Sequence, residues 1–319
     1  MAEPVLVADI GGTNARFGLA VEQAGGLRVD DPQTFRAEDF ETIRDAADAY
    51  LEAVGATPKE ACFAVAGPAH GETVTFTNSP WMLEKARVRG ELRLDAFRVV
   101  NDFEALAAGV RHLSADAFVR VKSGAGQPGA PILVIGPGTG LGQALLVPFG
   151  ERWKVVPTEG GHVTFAPRTA EEVEVMRFIA REHPRVSVER LLSGRGLVNL
   201  HRALCAVADT PRVSLQANEI TDAAKTKAYP IAVQAVDMFC ALLGAVAGDA
   251  VLGAGARGGV VLGGGVLPKI KEVFLESRFV EKFLDKGRMR TYLEPVPVDL
   301  IVRDGAALLG AAVLLHNDP

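Results

Sequence analysis

Three cysteines in 319 residues leave little room for disulfide or metal chemistry. Cys62, Cys205 and Cys240 stand far apart in apolar or helical surroundings, with no C-x-x-C pair and no metal-ligand spacing, so reduced, buried thiols are expected. That pattern fits a cytoplasmic protein. Positive charge is not in excess either. Lys and Arg number 34 against 39 Asp and Glu, a formal net charge of -5, and no basic stripe is offered to nucleic acid. The densest positive cluster, Lys282, Lys286, Arg288 and Arg290, reads as a solvated helix end. No charge-free apolar run reaches the roughly 20 residues a membrane span needs. The segment from Ile231 to Gly255 is broken by Gln234, Asp237 and Asp249 and reads as a buried helix rich in small residues. The start, MAEPVLVADI, runs directly into a strand with no basic leader or cleavage site, so no signal peptide is expected. There is no G-x-x-x-x-G-K-[ST] run, which excludes a P-loop protein. Measured from Gly136 or Gly138, GPGTGLG places Leu141 or Gln143 where a dinucleotide fingerprint needs its third glycine, and a strand follows rather than a helix.

What the chain does carry is one kind of turn built twice. Val5 to Ala8 leads into Asp9, Gly11-Gly12-Thr13 makes the turn, and Ala15 to Ala20 returns as a strand. Ile132 to Ile135 leads into Gly138-Thr139-Gly140, and Gln143 to Val147 returns. Glycine permits positive φ and lets an anion reach main-chain N–H groups, and threonine adds a hydroxyl donor. Either loop alone is an ordinary hairpin turn. The repetition points to a polyphosphate held from two sides.

Strands and helices alternate along the chain. Glu38 to Val54 has helical apolar spacing, and Ala61 to Ala66 returns as a buried strand. A strand over 73–77, a strand over 97–100 and a helix over 103–113 follow. The second half repeats the plan with the 132–147 hairpin, helices near 170–182, 195–207 and 228–254, and a strand over 259–262. A helix over 269–284, a strand over 298–302 and a helix over 306–315 complete it. This alternation predicts an α/β protein with parallel-rich sheets covered by helices, in two related halves with a cleft between them. The Gly- and Pro-rich segment 123–131 is the expected linker, giving domains over 1–122 and 123–319, with the C-terminal helix able to pack back on the first.

Candidate site residues lie at strand ends. Asn101-Asp102 follows the run Phe97 to Val100, at the carboxyl end of a strand where open α/β sheets place ligands. The pair reads either as a helix cap or as a general base beside a cap, since one residue can cap while the other reaches a ligand. Thr158-Glu159-Gly160-Gly161-His162 sets a carboxylate and an imidazole around two glycines, which suits a polyhydroxyl ligand or a plain solvated turn. Glu189 taken alone reads as a surface charge. Gly263-Gly264-Gly265 either lets a ring or ribose approach the backbone or makes a strand-to-helix turn.

Together DIGGTNARFGLA, TNSPW at 77–81, NDFEALAAG at 101–109, GPGTGLG at 136–142, EGGH at 159–162, ERLLSGRGLVNL at 189–200, LGGGV at 262–266 and DKGRM at 285–289 resemble bacterial glucokinases, in the same order and nearly end to end. The resemblance is to the group without a cysteine-rich zinc motif, within the actin, hexokinase and Hsp70 ATPase superfamily. It implies duplicated actin-like ATPase domains of ribonuclease H-like fold around an interdomain cleft. The activity implied is ATP-dependent phosphorylation of glucose at its 6-hydroxyl, giving glucose 6-phosphate and ADP. By this resemblance Asp102 is the general base, and Asn78, Ser79, Asn101, Glu159, His162 and Glu189 help hold the sugar. Gly11, Gly12, Thr13 and Asn14 meet the terminal phosphates, Gly138 and Thr139 the phosphates from the other side, and Gly263 and Gly264 the adenosine. Asp9 organises Mg2+ through water, with no direct protein metal ligand. A homodimer is implied as well. Arg303-Asp304-Gly305-Ala306 departs from the proline-containing turn expected of relatives. Two other classes compete: a sugar-sensing regulator would need a DNA-binding segment before a first strand that begins near Val5, and a chaperone or filament ATPase would not need Asn101, Asp102, Glu159 and His162 together.

Overall fold

The computed structural model describes residues 3–23, 26–67, 69–76, 81–211 and 213–316. They fall into two units, one formed by 3–117, 152–157 and 303–316, the other by 118–151 and 158–302.

The first unit opens with strands β1 (Val5–Ile10), β2 (Asn14–Gln23) and β3 (Gly26–Arg36), helix α1 (Ile43–Val54) and strand β4 (Glu60–Val65). Strands β5 (Thr73–Thr75) and β6 (Met82–Glu84), helix α2 (Lys85–Glu91), strand β7 (Ala96–Asn101) and helix α3 (Asp102–Val110) follow. Its sheet has the order β3-β2-β1-β4-β7, and β5 and β6 form a separate antiparallel pair. Strand β2 runs antiparallel to β1 and β3, while β1, β4 and β7 are parallel. Alternating residues of β1 divide between two cores, as the two-residue period of a strand requires. Leu6, Ala8 and Ile10 join Ile43, Ala46, Ala47 and Tyr50 of α1. Val5 and Val7 join Ala105 and Ala108 of α3 on the opposite face. Helix α1 begins later than the apolar spacing alone predicts because Thr42 and Asp45 form a reciprocal capping box.

The second unit contains β8 (Phe118–Lys122), β9 (Ile132–Pro137), β10 (Leu141–Phe149), α4 (Ala170–Ala180), α5 (Gly194–Val207) and α6 (Ala217–Lys225), while β11 (Arg152–Thr158), which follows β10 in the chain, falls in the first unit up to residue 157. It continues with α7 (Pro230–Ala254), β12 (Gly259–Leu262), α8 (Lys271–Leu275), α9 (Phe279–Leu284), α10 (Arg290–Leu293) and β13 (Val298–Ile301). The chain closes in α11 (Ala306–His316), whose Leu308, Ala311 and Ala312 fill the α3 face of the first unit's core. Within the second unit the sheet has the order β10-β9-β12-β13-β8, with β9, β12 and β13 parallel and β9 antiparallel to β10. A hairpin followed by two parallel strands on the same flank thus occurs once in each sheet.

The observed division departs from the expected boundary at 122/123. β8 pairs antiparallel with β13, which puts 118–122 in the second unit. Segment 123–131 is no free linker: Gly126 N donates to Pro295 O at 2.8 Å and Gln127 N to Arg257 O at 2.9 Å. Among the described residues α7 alone is long and apolar enough to cross a membrane, but 67% of its most apolar window is buried. It is the central helix of the second unit's core, started by Pro230 and ended by Gly255 at φ 63°. The three cysteines are free and buried.

Candidate active site

In the first unit the parallel strands bring their carboxyl ends into register. Ile10 lies opposite Val65, and Val65 opposite Asn101. The Gly11-Gly12-Thr13 loop and the Asn101-Asp102 pair therefore lie along one edge of one sheet. Gly11 N donates to Asn14 O at 2.9 Å, closing the loop, and Thr13 and Asn14 are exposed at its tip.

Asn101 and Asp102 divide the labour that their sequence left open. Asn101 Oδ1 accepts from Phe103 N at 2.9 Å and Glu104 N at 3.2 Å, so Asn101 is the cap of α3. Its Nδ2 donates to Gly67 O at 3.1 Å, fixing the exit of β4. An amide offers two donors and two acceptor lone pairs, which leaves one N–H for a ligand. Asp102 is the first residue of α3, half-buried, with Oδ1 accepting from Phe103 N at 2.8 Å. Its charge sits at the positive end of the helix dipole.

Asp9 faces Arg16 directly across β1 and β2. Arg16 in turn lies 3.4 Å from Asp304, part of the turn whose sequence departs from the expected one, and Arg303 beside it pairs with Asp116 at 2.6 Å. Burial pushes the Asp9 carboxyl up to about 6, Arg16 opposes the rise and Asp304 adds to it. Folding thus favours the protonated form, so the stability this group contributes is present near pH 4, declines toward pH 6 and is absent above. We expect Asp9→Asn to be more stable than the wild type at pH 7 by about 2 kcal/mol and no more stable near pH 4. Equal denaturant midpoints for the two proteins at pH 7 would count against a destabilising charge at this position.

In the second unit, Gly138 N donates to Gly140 O at 2.8 Å within the second glycine-threonine loop, and Thr139 is exposed at its tip. Two distant segments meet this loop. Residues Val163 to Phe165 pair with Val186 to Val188 through Val188 N to Val163 O at 2.9 Å and Phe165 N to Val186 O at 3.0 Å, which carries the Glu159–His162 turn and Glu189 to the same end of β10. Glu189 Oε2 accepts from Leu141 N at 2.9 Å, so this carboxylate is no plain surface charge. Gly161 packs on Leu141, where a Cβ would lie 3.2 Å from the carbonyl carbon and overlap its oxygen. The side chains of Glu159 and His162 stand 3.8 Å apart and point outward, 74% and 54% exposed, open to a ligand.

Gly264 is needed where it stands for a local reason. Gly264 has φ +80°, and a Cβ there would stand 2.5 Å from Pro137 O, while Gly263 N beside it donates to Ile135 O at 3.0 Å. The exits of β9 and β12 thus touch backbone to backbone. Asn78 and Ser79 lie outside the described residues.

Sequence reasoning missed Ser193 and Gly194. Ser193 Oγ caps α5 by accepting from Gly196 N at 2.9 Å, and Gly194 N donates to Gly138 O at 2.9 Å, which sets the first turn of α5 against the second loop. The signal was present as a serine followed by two glycines ahead of an apolar-periodic run.

The model of the glucokinase family matches residues 6–318 of this chain. A glucokinase of Hahella chejuensis is 42% identical over 317 residues, covering 99% of this chain and 98% of that protein. The crystal structure of a glucokinase from an Antarctic psychrotroph superposes with a TM-score of 0.87 at 38% identity, covering 100% of both chains. At 23% identity, a glucokinase of Balamuthia mandrillaris solved with glucose has a TM-score of 0.83 over 98% of this chain and 93% of that one, a likeness of fold.

Proposed function

Since this chain belongs to the glucokinase family, we propose that it transfers the γ-phosphoryl group of ATP to the 6-hydroxyl of glucose, yielding glucose 6-phosphate and ADP, with Asp102 as general base. The observation that carries this assignment is the shared sheet edge: Asp102 begins α3 at the carboxyl end of β7, in register with the end of β1 that bears the first glycine-threonine loop. Gly11, Gly12, Thr13 and Asn14 are assigned to the terminal phosphates, Gly138 and Thr139 to the phosphate chain, and Gly263 and Gly264 to the adenosine. Asn101 through its remaining N–H, and Glu159, His162 and Glu189, together with Asn78 and Ser79, are assigned to the sugar. The repeated strand order of the two sheets supports a duplicated, actin-like plan.

Phosphoryl transfer passes through a loose transition state, so the protein mainly aligns donor and acceptor and stabilises charge. Asp102 accepts the proton of the attacking hydroxyl as the O–P bond forms. Backbone N–H groups of both loops donate to phosphate oxygens. The ion is assigned to phosphate oxygens and water, with no direct protein ligand. Asp9, a carboxylate whose charge burial disfavours, fits as the group that gains when a cation comes near. Bound Mg2+ would neutralise phosphate charge there. The same reading places the enzyme in the cytoplasm as a homodimer that binds neither nucleic acid nor membrane.

A panel of hexoses with ATP and Mg2+, scored by product, tests the assignment. Glucose should give glucose 6-phosphate with the highest kcat/KM. Phosphorylation of another hexose in clear preference to glucose, or of none, would sink it.

A further inference from the structure

Glu189 stands 48 residues from Leu141 in sequence, yet its Oε2 accepts the Leu141 N–H at 2.9 Å. Leu141 opens β10, so this bond fixes the exit of the second glycine-threonine loop. The carbonyl of Pro137, which lies opposite Leu141 in the ladder, accepts instead from Val266 N at 3.1 Å. The fit is close: a Cβ at Gly140 would lie 3.2 Å from Glu189 Cδ and overlap Oε2, so the carboxylate would have to move off Leu141 N. The loop's entrance is held by the same segment, through Gly194 N to Gly138 O at 2.9 Å. Ser193 makes the segment rigid, its Oγ donating to Glu189 O at 2.9 Å while capping α5.

We infer that Glu189 is a positioning residue for the second glycine-threonine loop, shaping it for a nucleoside triphosphate's phosphates before any sugar arrives. One carboxylate then serves two ligands. Oε2 holds the loop, and Oε1 is the oxygen left to meet a sugar hydroxyl, so sugar contact and loop geometry are coupled through one rigid group. The inference rests on the reading of that loop as a phosphate loop.

The test measures two sugar-free quantities on the full chain: hydrogen exchange of amides 138–142, and the affinity for a non-hydrolysable ATP analogue with Mg2+. In Glu189→Ala the Leu141 amide should exchange faster and analogue affinity should fall, each by about tenfold, the usual size of one charge-assisted hydrogen bond. Glu189→Gln keeps an acceptor oxygen and should stay within about threefold of wild type in both, while raising the glucose KM. Gly140→Ala, which keeps the carboxylate but pushes it off Leu141 N, should lower analogue affinity as Glu189→Ala does. Wild-type exchange or affinity in Glu189→Ala, a Glu189→Gln as impaired as Glu189→Ala, or full affinity in Gly140→Ala would each overturn the inference. Failure of glucose phosphorylation with these sugar-free results intact would remove the proposed activity and leave the positioning role standing.

Discussion

Asp102→Asn is expected to lower kcat by roughly 10² to 10⁴, the range that loss of a general base produces. The substitution is a clean probe because the neighbouring Asn101, not Asp102, caps α3. Asparagine keeps the shape and an Oδ1 able to accept from Phe103 N, as Asp102 Oδ1 does at 2.8 Å. Folding and glucose affinity should therefore change little, so the loss appears in kcat and not in KM. Asn101→Ala should behave in the opposite way. It removes the cap on α3 and the tie to Gly67 O, and a lost N-cap costs about 1 kcal/mol of stability. A coupled assay for glucose 6-phosphate, with calorimetric glucose binding alongside, separates the two. An unchanged kcat in Asp102→Asn would strip Asp102 of its role as base.

The two glycine-threonine loops were legible in the sequence because turn chemistry is local, and both appear where the glycines stand, between β1 and β2 and between β9 and β10. The strand over 259–262 was equally legible, being a short apolar run closed by glycines on both sides. β3 was not. Its sequence GLRVDDPQTFR is polar and carries a proline, and it is a strand because it pairs along β2 at the sheet's edge. The helix expected over 269–284 is broken near Ser277. That hydroxyl donates to Phe274 O at 2.6 Å and accepts from Phe279 N at 3.3 Å, competing with the helical pattern. α6 escaped for another reason, since its apolar stripe of Ile220 and Ala224 is narrow within a polar stretch. At the site, the capping by Asn101 was readable from its place before an apolar run. The engagement of Glu189 was not, because the partner that defines it lies in a different hairpin. Residue type shows that a carboxylate is present, and only tertiary pairing shows which backbone N–H it meets.

Gly310→Ala is expected to destabilise the protein by about 1 to 2 kcal/mol, although alanine is the better helix former. The reason lies where α11 crosses α3. A Cβ at Gly310 would overlap the carbonyl oxygen of Ala105 and stand 2.6 Å from its carbon and 2.7 Å from Gly109 N. Gly109 is no roomier, since a Cβ there would stand 2.9 Å from the Ala306 carbonyl carbon. The opposing atoms are backbone, so no rotamer change can clear the overlap and the helices must separate. Separation opens the core of Val5, Val7, Ala105, Ala108, Leu308 and Ala311 beneath the sheet. The propensity gain of alanine over glycine, about 0.5 to 1 kcal/mol, is smaller than the overpacking cost of about 1 to 3 kcal/mol or more. Gly253→Ala supplies the control. Gly253 lies in α7 with no atom within 4 Å of an added Cβ, so only the propensity term remains and stability should hold or rise. Denaturant unfolding of the two variants side by side measures the difference, and matching midpoints would mean that the α3–α11 crossing yields without cost. Because Asp102 heads α3, Gly310→Ala should also lose activity at temperatures where the wild type keeps it, through displacement of the helix that positions the base.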